Sequence, residues 1–482
     1  MYDRFGLLID GQWRPAADGA SLVVYSAATE QPVGRVPVAG SADIAAALAA
    51  AEAAFKRWRE VPAWDRARTL ARAAGLMRDR IEVIAQMMST ETGKPLAEAR
   101  GETTAAADQF EWYAEEAKRG YGQIVPGRKP GERISVVYEP VGVCLTLTAW
   151  NFPALLPARK IAAALAAGCA VIARPATEAP GAAFALAEAL MDAGLPPGTI
   201  NVLTGPAAPM VADLIASPVI RKVSLTGSVS VGRQVLTQCA ADFKRTSMEL
   251  GGHAPAIVHA DADPVAAAQL LAGAKFRNCG QVCISPSRFY VHQSIRPAFD
   301  RAFAAVAAAI VVGDGLVDGV TMGPMIRRSA LETAIELIAD ARARGARLLA
   351  GGGRPAHLNR GHFIEPTVMA DVDDGARIMQ EEPFAPVAPI VGFTDEDAVI
   401  ERANSLPFGL AAYVFTPDAE RAERTARGLK AGMVGINEVL LATAEAPFGG
   451  VGHSGHGREG GSLGLHDYLE AKYIRHRLNR ST

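Results

Sequence analysis

One loop in the middle of the chain carries the residue type best suited to covalent catalysis. Cys283 follows a Gly-Gln pair in the stretch from Phe276 to Ser285. Backbone N–H groups in such a loop can lower the pKa of a thiol and make the thiolate more available. The alternative is a buried structural cysteine, since most free cysteines behave as small apolar residues. Cys279 and Cys283 have a spacing that could bind a metal, but no second Cys/His pair completes a site, so no metal is expected.

Two further stretches place polar side chains beside predicted turns. Glu249 precedes two glycines and an apolar run, where a partly desolvated carboxylate could act as a general base. Asn151 follows Trp150 at the end of a predicted strand, and its amide could donate to a developing oxyanion. The alternatives are a surface acid at a turn for Glu249 and a helix-capping side chain for Asn151.

A phosphate-binding turn is predicted where a β-rich run meets Gly227. The stretch from Leu225 to Arg233 passes from a strand through Gly227 and Ser228 into a helix, whose free N–H groups and dipole can hold phosphate. This stretch does not have the GxGxxG pattern. Literal matches to that pattern occur between Gly450 and Gly460, outside a βαβ context, and they are interpreted as chance matches in a glycine-rich loop.

Taken together, these stretches resemble the aldehyde dehydrogenase superfamily. The resemblance covers essentially the whole chain and continues through residues 381–387, 404–412 and 447–460. It implies an α/β fold with a Rossmann-type cofactor-binding domain, an α/β catalytic domain and a small β extension for oligomerisation. The expected domains are NAD(P)-binding for 1–121 and 141–251, catalytic for 252–447, and oligomerisation segment with C-terminal loop for 122–140 and 448–482.

The resemblance also implies a mechanism. Cys283 adds to the aldehyde, Asn151 and the Cys283 N–H hold the oxyanion, and hydride transfer to nicotinamide leaves a thioester. Glu249 then activates the hydrolytic water, and its presence favours hydrolysis over the CoA-acylating branch of the family. Glu382 is expected to bind the nicotinamide ribose, with Phe384 packed nearby. The other implied cofactor-binding positions are Trp150, Arg174, Pro175, Thr177, Gly205, Gly227, Ser228, Gly232 and Leu250.

Within the family, the chain resembles succinate-semialdehyde dehydrogenases, whose substrate carries a carboxylate at its far end. Arg159, Arg277 and Thr443 stand where those enzymes bind the carboxylate, and each guanidinium presents a fork of donors that suits it. Phe152 is a further expected substrate contact. The chain is also similar to α-ketoglutaric semialdehyde dehydrogenases, which leaves the substrate length open.

Two other functions remain as alternatives. If the arginines are structural, the chain is a general aliphatic or aromatic aldehyde dehydrogenase. A non-catalytic binding protein on the same scaffold is disfavoured by the intact set of Cys283, Glu249 and Asn151.

Two departures from the family pattern concern the cofactor and redox control. Thr177 stands where NAD-preferring members often carry a ribose-binding Glu, and Thr177 with Arg174 favours tolerance of NADP. The adjacent Glu178 could serve instead, which leaves NAD or NADP open. Ser285 stands where some relatives carry a second cysteine, so a disulfide with the nucleophile is not expected there. A Cys279–Cys283 disulfide would need Cα atoms within ~7 Å.

The rest of the chain must form the helices and strands that bring these stretches together. Its 482 residues exceed one compact core, which predicts two or three lobes. A net charge of −2 provides no field for nucleic acid or anionic lipid, so a small-molecule aldehyde is the expected partner. Three features indicate a cytoplasmic protein. The five cysteines have no disulfide-framework spacing, and the sequence shows no signal peptide. The apolar run 161–173 is shorter than the ~18 residues that a membrane span needs.

Alternation of β-rich and alanine-rich runs predicts α/β lobes with parallel sheets. The run 161–173 is predicted to be a buried helix that leads into a strand. The run from Asp467 to Tyr473 is predicted to be an edge or partner-facing strand, consistent with a homodimer or homotetramer. Predicted strands lie at 135–147, 170–174, 199–203, 222–226, 256–258, 288–292, 346–350 and 411–415, and predicted helices at 41–59, 66–89, 296–311 and 327–344.

Overall fold

The structure is a computed structural model that describes residues 1–477. Within that range, no helix is long and apolar enough to cross a membrane. Residues 478–482 of the predicted C-terminal segment lie outside the described residues.

The helices of residues 1–477 include the alanine-rich segments predicted from the sequence. In chain order they are α1 (Ser41–Trp58), α2 (Ala63–Asp79), α3 (Ile81–Thr92), α4 (Leu96–Glu116), α5 (Leu155–Ala167), α6 (Gly181–Asp192), α7 (Ala207–Ala216), α8 (Val229–Ala240), α9 (Pro264–Phe276), α10 (Arg296–Ala309), α11 (Arg328–Ala343), α12 (Arg377–Gln380), α13 (Glu396–Ala403), α14 (Ala419–Gly428) and α15 (Gly461–His466).

The strands of the same range alternate with these helices. They are β1 (Leu7–Ile9), β2 (Gln12–Arg14), β3 (Ser21–Tyr25), β4 (Pro32–Pro37), β5 (Gln123–Pro126), β6 (Glu132–Pro140), β7 (Val143–Leu147), β8 (Ala170–Arg174), β9 (Ile200–Val202), β10 (Ile220–Thr226), β11 (Arg245–Glu249), β12 (Ala254–Val258), β13 (Pro286–His292), β14 (Arg347–Ala350), β15 (Thr367–Ala370), β16 (Val387–Phe393), β17 (Phe408–Gly409), β18 (Ala411–Phe415), β19 (Met433–Ile436), β20 (Val451–Gly452), β21 (Gly455–His456) and β22 (Leu469–Arg477).

Two large sheets carry most of these strands. Over residues 1–477, the first sheet has the order β2-β1-β9-β8-β7-β10-β11-β21, and the strands from β9 to β11 are parallel. The second sheet has the order β14-β15-β16-β13-β12-β18-β19, and only its edge strand β14 is antiparallel. The α/β fold expected from the sequence is therefore confirmed, whereas the residue boundaries of its domains stay a prediction.

Strand β7 illustrates why the first sheet is buried on both faces. Val143, Leu145 and Leu147 pack into one hydrophobic core, and Cys144 packs into the core on the opposite face. A parallel strand covered on both sides is apolar along its length, as this one is. Helix α5 covers one face and packs against α4 and α2, and every one of its residues is buried.

The two sheets are joined close to the predicted catalytic residues. Glu249 ends β11 of the first sheet, and β12 of the second begins at Ala254. The Cys283 loop lies between α9 and β13, at the amino-terminal end of β13. Parallel α/β sheets commonly bind ligands at the carboxyl ends of their strands, and Glu249 lies at the carboxyl end of β11.

Two predicted elements are wrong in their extent. The run 135–147 is not one strand but β6 and β7 in different sheets, because Gly142 adopts φ +132° and turns the chain between them. The run 66–89 is not one helix but α2 and α3, which meet at Arg80 with φ −101° and ψ 14°. Arg80 is held there by an ion pair to Asp192 at 2.6 Å.

The other predicted strands and helices lie within two residues of the observed ones, except that the C-terminal strand predicted at 467–473 extends to Arg477. The helix-to-strand interpretation of 161–173 is confirmed by α5 and β8. The C-terminal strand is also confirmed: β22 pairs antiparallel with β6 and is an edge of the three-stranded sheet β22-β6-β5. Residues 455–456 join the first sheet as β21, at its edge beside β11.

Candidate active site

The loop before Cys283 is held in an unusual backbone conformation. Asn278, Cys279 and Gly280 have φ values of 48°, 56° and 69°, so three successive residues are left-handed. A Cβ at Gly280 would collide with the backbone carbonyl of Ala385. The Gln281 side chain donates to the Asn278 carbonyl at 3.1 Å. The position of Cys283 is therefore set by strained backbone that the surrounding contacts maintain.

Asn151 is attached to this loop by hydrogen bonds. Its Nδ2 donates to the Gln281 carbonyl at 3.1 Å, and its own carbonyl accepts from Asn278 Nδ2 at 2.9 Å. An amide nitrogen carries two protons, so one remains for an oxyanion formed near Cys283. The structure thus attaches the predicted oxyanion donor to the loop that leads to the predicted nucleophile.

A buried ion pair that the sequence did not reveal supports Asn151. Lys94 Nζ donates to the Asn151 carbonyl at 2.8 Å and to Glu102 at 2.6 Å. Glu102 also accepts from the Ala154 N–H at 2.8 Å, at the start of α5. Both charged side chains are about 1% exposed. Their eight-residue separation carried no sign that both would be buried beneath the site.

Glu249 is a desolvated carboxylate at the end of β11. It is 3% exposed, and neither of its oxygens has a hydrogen-bond partner among residues 1–477. Burial, followed by the charge of Glu459, raises the pKa of this carboxyl well above its usual range. A raised pKa is what a general base needs in order to accept a proton near neutral pH.

A second buried ion pair lies within charge range of Glu249 and was also missed from the sequence. Lys160 binds Glu459, and Lys160 also donates to Ser224 Oγ at 3.1 Å. The pKa of Glu249 responds to both members of the pair, because Glu459 raises it and Lys160 lowers it. The pair therefore adjusts the basicity of the predicted general base.

The Cys283 thiol is half-buried and surrounded by charge. Burial raises the pKa of the thiol to about 12, with further increases from Glu382 and Glu249 and an opposing effect from Arg159. The Cys283 backbone N–H lowers this pKa, as expected for the loop, but its effect is the smaller one. The free protein therefore holds Cys283 as a thiol at neutral pH, and forming the thiolate requires a base.

Glu382 stands beside the glycine pair that follows Glu249. Its Oε1 accepts from the Gly252 N–H at 3.2 Å, and a Cβ on Gly251 would collide with its Oε2. Burial raises the pKa of Glu382 to about 8. The absence of a side chain at Gly251 thus allows the close approach of this carboxylate.

Some of the predicted cofactor-binding residues line one cavity of about 540 Å³. Arg174 Nη2 donates to Thr177 Oγ1 at 2.8 Å and to the Gly205 carbonyl at 2.9 Å, and Ser228 caps α8 by accepting from the Val231 N–H. Of the predicted set, Trp150, Arg174, Thr177, Gly227 and Ser228 line this cavity.

The other predicted cofactor positions lie around that cavity. Phe384 packs edge-to-face on Trp150 with ring centroids 5.8 Å apart. Gly232 is pressed against Leu250, whose Cδ2 would stand 2.5 Å from an added Cβ. Pro175 directly follows the last residue of β8. The residues fit a dinucleotide, because the cavity joins a helix amino terminus to Arg174, whose buried Nε has no partner in the described part of the chain.

The predicted substrate arginines lie on two different aromatic rings. Arg159 is 2% exposed and its guanidinium carbon is 4.1 Å from the centroid of Phe448. Arg277 is exposed and stands 5.2 Å over Phe152. Two nitrogens of Arg159, Nε and Nη2, are buried without a hydrogen-bond partner in residues 1–477. Arg159 influences the pKa of both Cys283 and Glu249, which places it near the reacting groups.

Thr443 and Ser285 lie in two different parts of the structure. Thr443 is half-buried in the segment before Phe448, next to Ala444, whose carbonyl accepts from the Gly461 N–H at 2.8 Å. Ser285 lines a separate cavity of about 330 Å³ that Arg277 also lines. Arg159 and Thr443 are not part of that lining, so the structure does not gather the three predicted carboxylate contacts in one cavity.

All five cysteines are free thiols and lie within the described residues. Cys279 is buried, and its sulfur contacts Met325 Sδ at 3.7 Å. Among residues 1–477, no group of three or more His, Cys, Asp or Glu side chains is arranged to hold a metal ion.

Comparison with known proteins gives consistent matches along the chain. A model described as the aldehyde dehydrogenase family matches residues 13–474. The succinate-semialdehyde dehydrogenase (NADP+) of Escherichia coli is 43% identical over 97% of this chain and 96% of its own length. A glutarate-semialdehyde dehydrogenase of Pseudomonas putida is also 43% identical, with the same coverage. A crystal structure of succinate-semialdehyde dehydrogenase from Burkholderia pseudomallei superposes with a TM-score of 0.96, at 42% identity over 98% of each chain.

Proposed function

Because the chain belongs to the aldehyde dehydrogenase family, we propose that it oxidises an aldehyde with a carboxylate at its far end. Succinic semialdehyde, converted to succinate, is the first candidate substrate. The enzyme is an NAD(P)-dependent oxidoreductase. The proposal concerns the identity of its aldehyde and the roles of its residues.

The observation that carries the proposal is the unpaired guanidinium of Arg159. A buried charge without a partner is costly, because desolvation is not compensated by an ion pair or hydrogen bonds. Nε and Nη2 of Arg159 lack partners in the part of the chain that the structure describes. A substrate carboxylate would supply both acceptors, in the forked geometry that a guanidinium favours.

Arg277 is the second cation in this proposal. It is exposed over Phe152, one turn before α5, the helix that carries Arg159. A carboxylated substrate that enters past Arg277 therefore meets one cation in solvent and a second one in the interior. Thr443 and Phe152 complete the proposed contacts with the substrate.

The proposed chemistry begins with the Cys283 thiol. The thiol, with a pKa of about 12, gives up its proton to solvent as the sulfur attacks, so Glu249 stays free to accept a proton from water in the second half of the reaction. The Cys283 sulfur then bonds to the aldehyde carbon, and the aldehyde oxygen becomes an oxyanion. The second Nδ2 proton of Asn151 and the Cys283 N–H donate to that oxyanion.

The second half of the reaction releases the acid. When bound, NAD or NADP supplies the hydride acceptor that turns the thiohemiacetal into a thioester. Glu249 then takes a proton from water, the water oxygen bonds to the thioester carbon, and the carbon–sulfur bond breaks to return Cys283. Glu382, Phe384 and the residues around Arg174 are proposed to hold the two ends of the cofactor.

A five-carbon substrate is the second candidate. The glutarate-semialdehyde relative is as similar to the chain as the succinate-semialdehyde relative, at 43% identity. The other two alternatives are α-ketoglutaric semialdehyde and general aldehydes. Their tails differ in polarity from the tails of succinic and glutaric semialdehyde. Comparison of tails at equal chain length therefore separates the candidates.

The test is kcat/KM for matched aldehydes, measured with NAD and with NADP. Succinic, glutaric and α-ketoglutaric semialdehydes are compared with butanal, hexanal and benzaldehyde in wild type, Arg159→Gln and Arg277→Ala. We expect the carboxylated aldehydes to lead by about a hundredfold or more, and Arg159→Gln to bring the ratio of kcat/KM for succinic semialdehyde over butanal close to one. Equal turnover of succinic semialdehyde and butanal would show that the arginines do not select the substrate.

We also propose a homodimer or homotetramer that uses the three-stranded sheet. Strand β22 is exposed at its edge, with Tyr473 and Ile474 in contact with solvent, and β5 at the opposite edge exposes Ile124. Unpaired edges with apolar side chains are sites of association. Light scattering after gel filtration should give a mass of two or four chains, and a monomer would reject this arrangement.

A further inference from the structure

One arginine outside every cofactor position considered so far reaches the cofactor cavity. Arg327 directly precedes α11, and it lines the cavity of about 540 Å³ together with Arg174 and Thr177. A neighbouring cavity of about 460 Å³ is lined by Arg327, Thr177 and Glu178 as well. The three residues shared by both cavities therefore form a junction between them.

Arg327 forms an ion pair across this junction. Its Nη1 lies 3.6 Å from Glu178 Oε1, and the two side chains are 59% and 36% exposed. Glu178 is the acid beside Thr177 that could bind ribose hydroxyls and repel a 2′-phosphate. Arg327 neutralises that acid and contributes a guanidinium at the same place.

We propose that Arg327 selects a cofactor with a phosphate on its adenosine ribose, through the ion pair to Glu178 and direct contact with the 2′-phosphate. The cofactor cavity beside this junction then holds two guanidiniums, Arg174 and Arg327, against one carboxylate, Glu178. A phosphate monoester carries nearly two negative charges at neutral pH, so this balance favours it over a hydroxyl. NADP is accordingly the preferred cofactor.

The other charged groups around the junction do not reverse this balance. Glu30 and His362 line the neighbouring cavity, and Glu30 lies 3.6 Å from His362 Nδ1. The Gly361 N–H lowers the pKa of Glu30, and His362 and Arg328 lower it further. Arg328 is 3.6 Å from Glu30. The Glu30 charge is thus matched by its own cations, which leaves Arg327 for the junction.

The proposal rests on the proposed function only in requiring a nicotinamide dinucleotide cofactor. Binding of cofactor fragments tests it without any aldehyde. Calorimetric titration of the full-length protein with 2′,5′-ADP and with 5′-AMP gives the preference for the 2′-phosphate directly. The variants are Arg327→Ala, Glu178→Gln and, as a matched control, Arg328→Ala, which removes the same charge from the adjacent residue.

We expect 2′,5′-ADP to bind wild type more tightly than 5′-AMP. Arg327→Ala should reduce that preference about tenfold, Glu178→Gln should increase it about threefold, and Arg328→Ala should change it less than twofold. Parallel kcat/KM ratios for NADP over NAD should follow the same order. Equal effects of Arg327→Ala and Arg328→Ala, or a preference that Arg327→Ala leaves intact, would overturn the proposal even if aldehyde oxidation proceeds as proposed.

Discussion

The guanidinium of Arg159 lies 4.1 Å over the ring of Phe448, and this contact holds a cation among buried residues beside the proposed catalytic residues. Its Nε and Nη2 atoms find no acceptor in residues 1–477. The free protein therefore carries an electrostatic cost that a bound carboxylate would remove. Stability and ligand binding should consequently be coupled at this residue.

Arg159→Met should stabilise the free protein while it abolishes the response to carboxylate ligands. Removal of a buried charge whose Nε and Nη2 have no hydrogen-bond partner in residues 1–477 should raise stability by on the order of 2 kcal/mol. Succinate at about a hundred times its Kd should stabilise wild type by about 2.7 kcal/mol and leave the variant unchanged. Thermal unfolding with and without succinate measures both effects. The exposed Arg277→Met is the control, and a destabilised Arg159→Met that still responds to succinate contradicts this account.

Asn151→Ala should slow the reaction without impairing the nucleophile. Loss of one oxyanion donor costs about a hundredfold to a thousandfold in kcat. The rate of Cys283 alkylation by iodoacetamide should stay within about threefold of wild type, since alkylation forms no oxyanion. If alkylation and turnover fall together, Asn151 acts by holding the loop through Gln281 and not by donating to the oxyanion.

Glu382→Gln should shift the ionisation of Cys283 to lower pH. Glu382 has a pKa of about 8, so it is charged above about pH 8, where it raises the pKa of the thiol. Removing that negative charge favours the thiolate, and alkylation between about pH 8 and pH 11 should become about three- to tenfold faster. Below about pH 8 the two proteins should converge, because Glu382 is then neutral in wild type.

The matched control for this prediction is Glu381→Gln. Glu381 is the adjacent acid, it is exposed, and it pairs with Arg377 at 3.1 Å instead of facing the thiol. Its removal should leave the alkylation profile unchanged. Identical profiles for Glu382→Gln and wild type would show that Glu382 does not act on Cys283.

Lys275→Met should stabilise the protein in a pH-dependent way. Lys275 is fully buried, its Nζ has no hydrogen-bond partner in the described part of the chain, and burial lowers its pKa from 10.5 to about 7. Between these two pH values the unfolded chain holds a proton that the folded chain does not, so wild type loses stability as the pH falls from about 10.5 to about 7. The variant avoids this loss.

The gain from Lys275→Met should be on the order of 3 kcal/mol at neutral pH and should largely disappear above about pH 10.5. Denaturant unfolding at several pH values measures it. Lys160→Met provides the contrast, because Lys160 is equally buried but pairs with Glu459, so its removal should destabilise the protein. Destabilisation by Lys275→Met at neutral pH would show that a folded-state contact of this lysine outweighs its desolvation.

Much of the fold could be predicted because the local sequence pattern of many elements agrees with the structure that they form. Strands β8 and β18 coincide with the predicted runs, since each is a short apolar segment bounded by a turn or helix. Helix α4 escaped prediction because its inward positions include polar residues. Glu102, Thr103 and Gln109 are each about 1% exposed, so the apolar period that marks an amphipathic helix is interrupted.

The candidate site could be proposed from the sequence only where a residue stands in a recognisable local stretch. Cys283, Glu249 and Asn151 stand in recognisable local stretches, and the structure joins Asn151 to the Cys283 loop. The supporting pair of Lys94 with Glu102 could not be predicted, because its function depends on burial that tertiary packing creates. Arg327 escaped for the same reason, since nothing local indicates that it faces a cavity lined by Arg174.

Oxidation of a carboxylated aldehyde through Cys283 can be observed by intact-protein mass spectrometry of Glu249→Gln mixed with succinic semialdehyde and oxidised cofactor. Without its base, the variant should form the thioester but hydrolyse it slowly, so one succinyl group should accumulate on Cys283 together with one equivalent of reduced cofactor. Butanal at the same concentration should label far less of the protein, and Cys283→Ala should not be labelled. No adduct, an adduct on another residue, or equal labelling by butanal would contradict oxidation of a carboxylated aldehyde through Cys283.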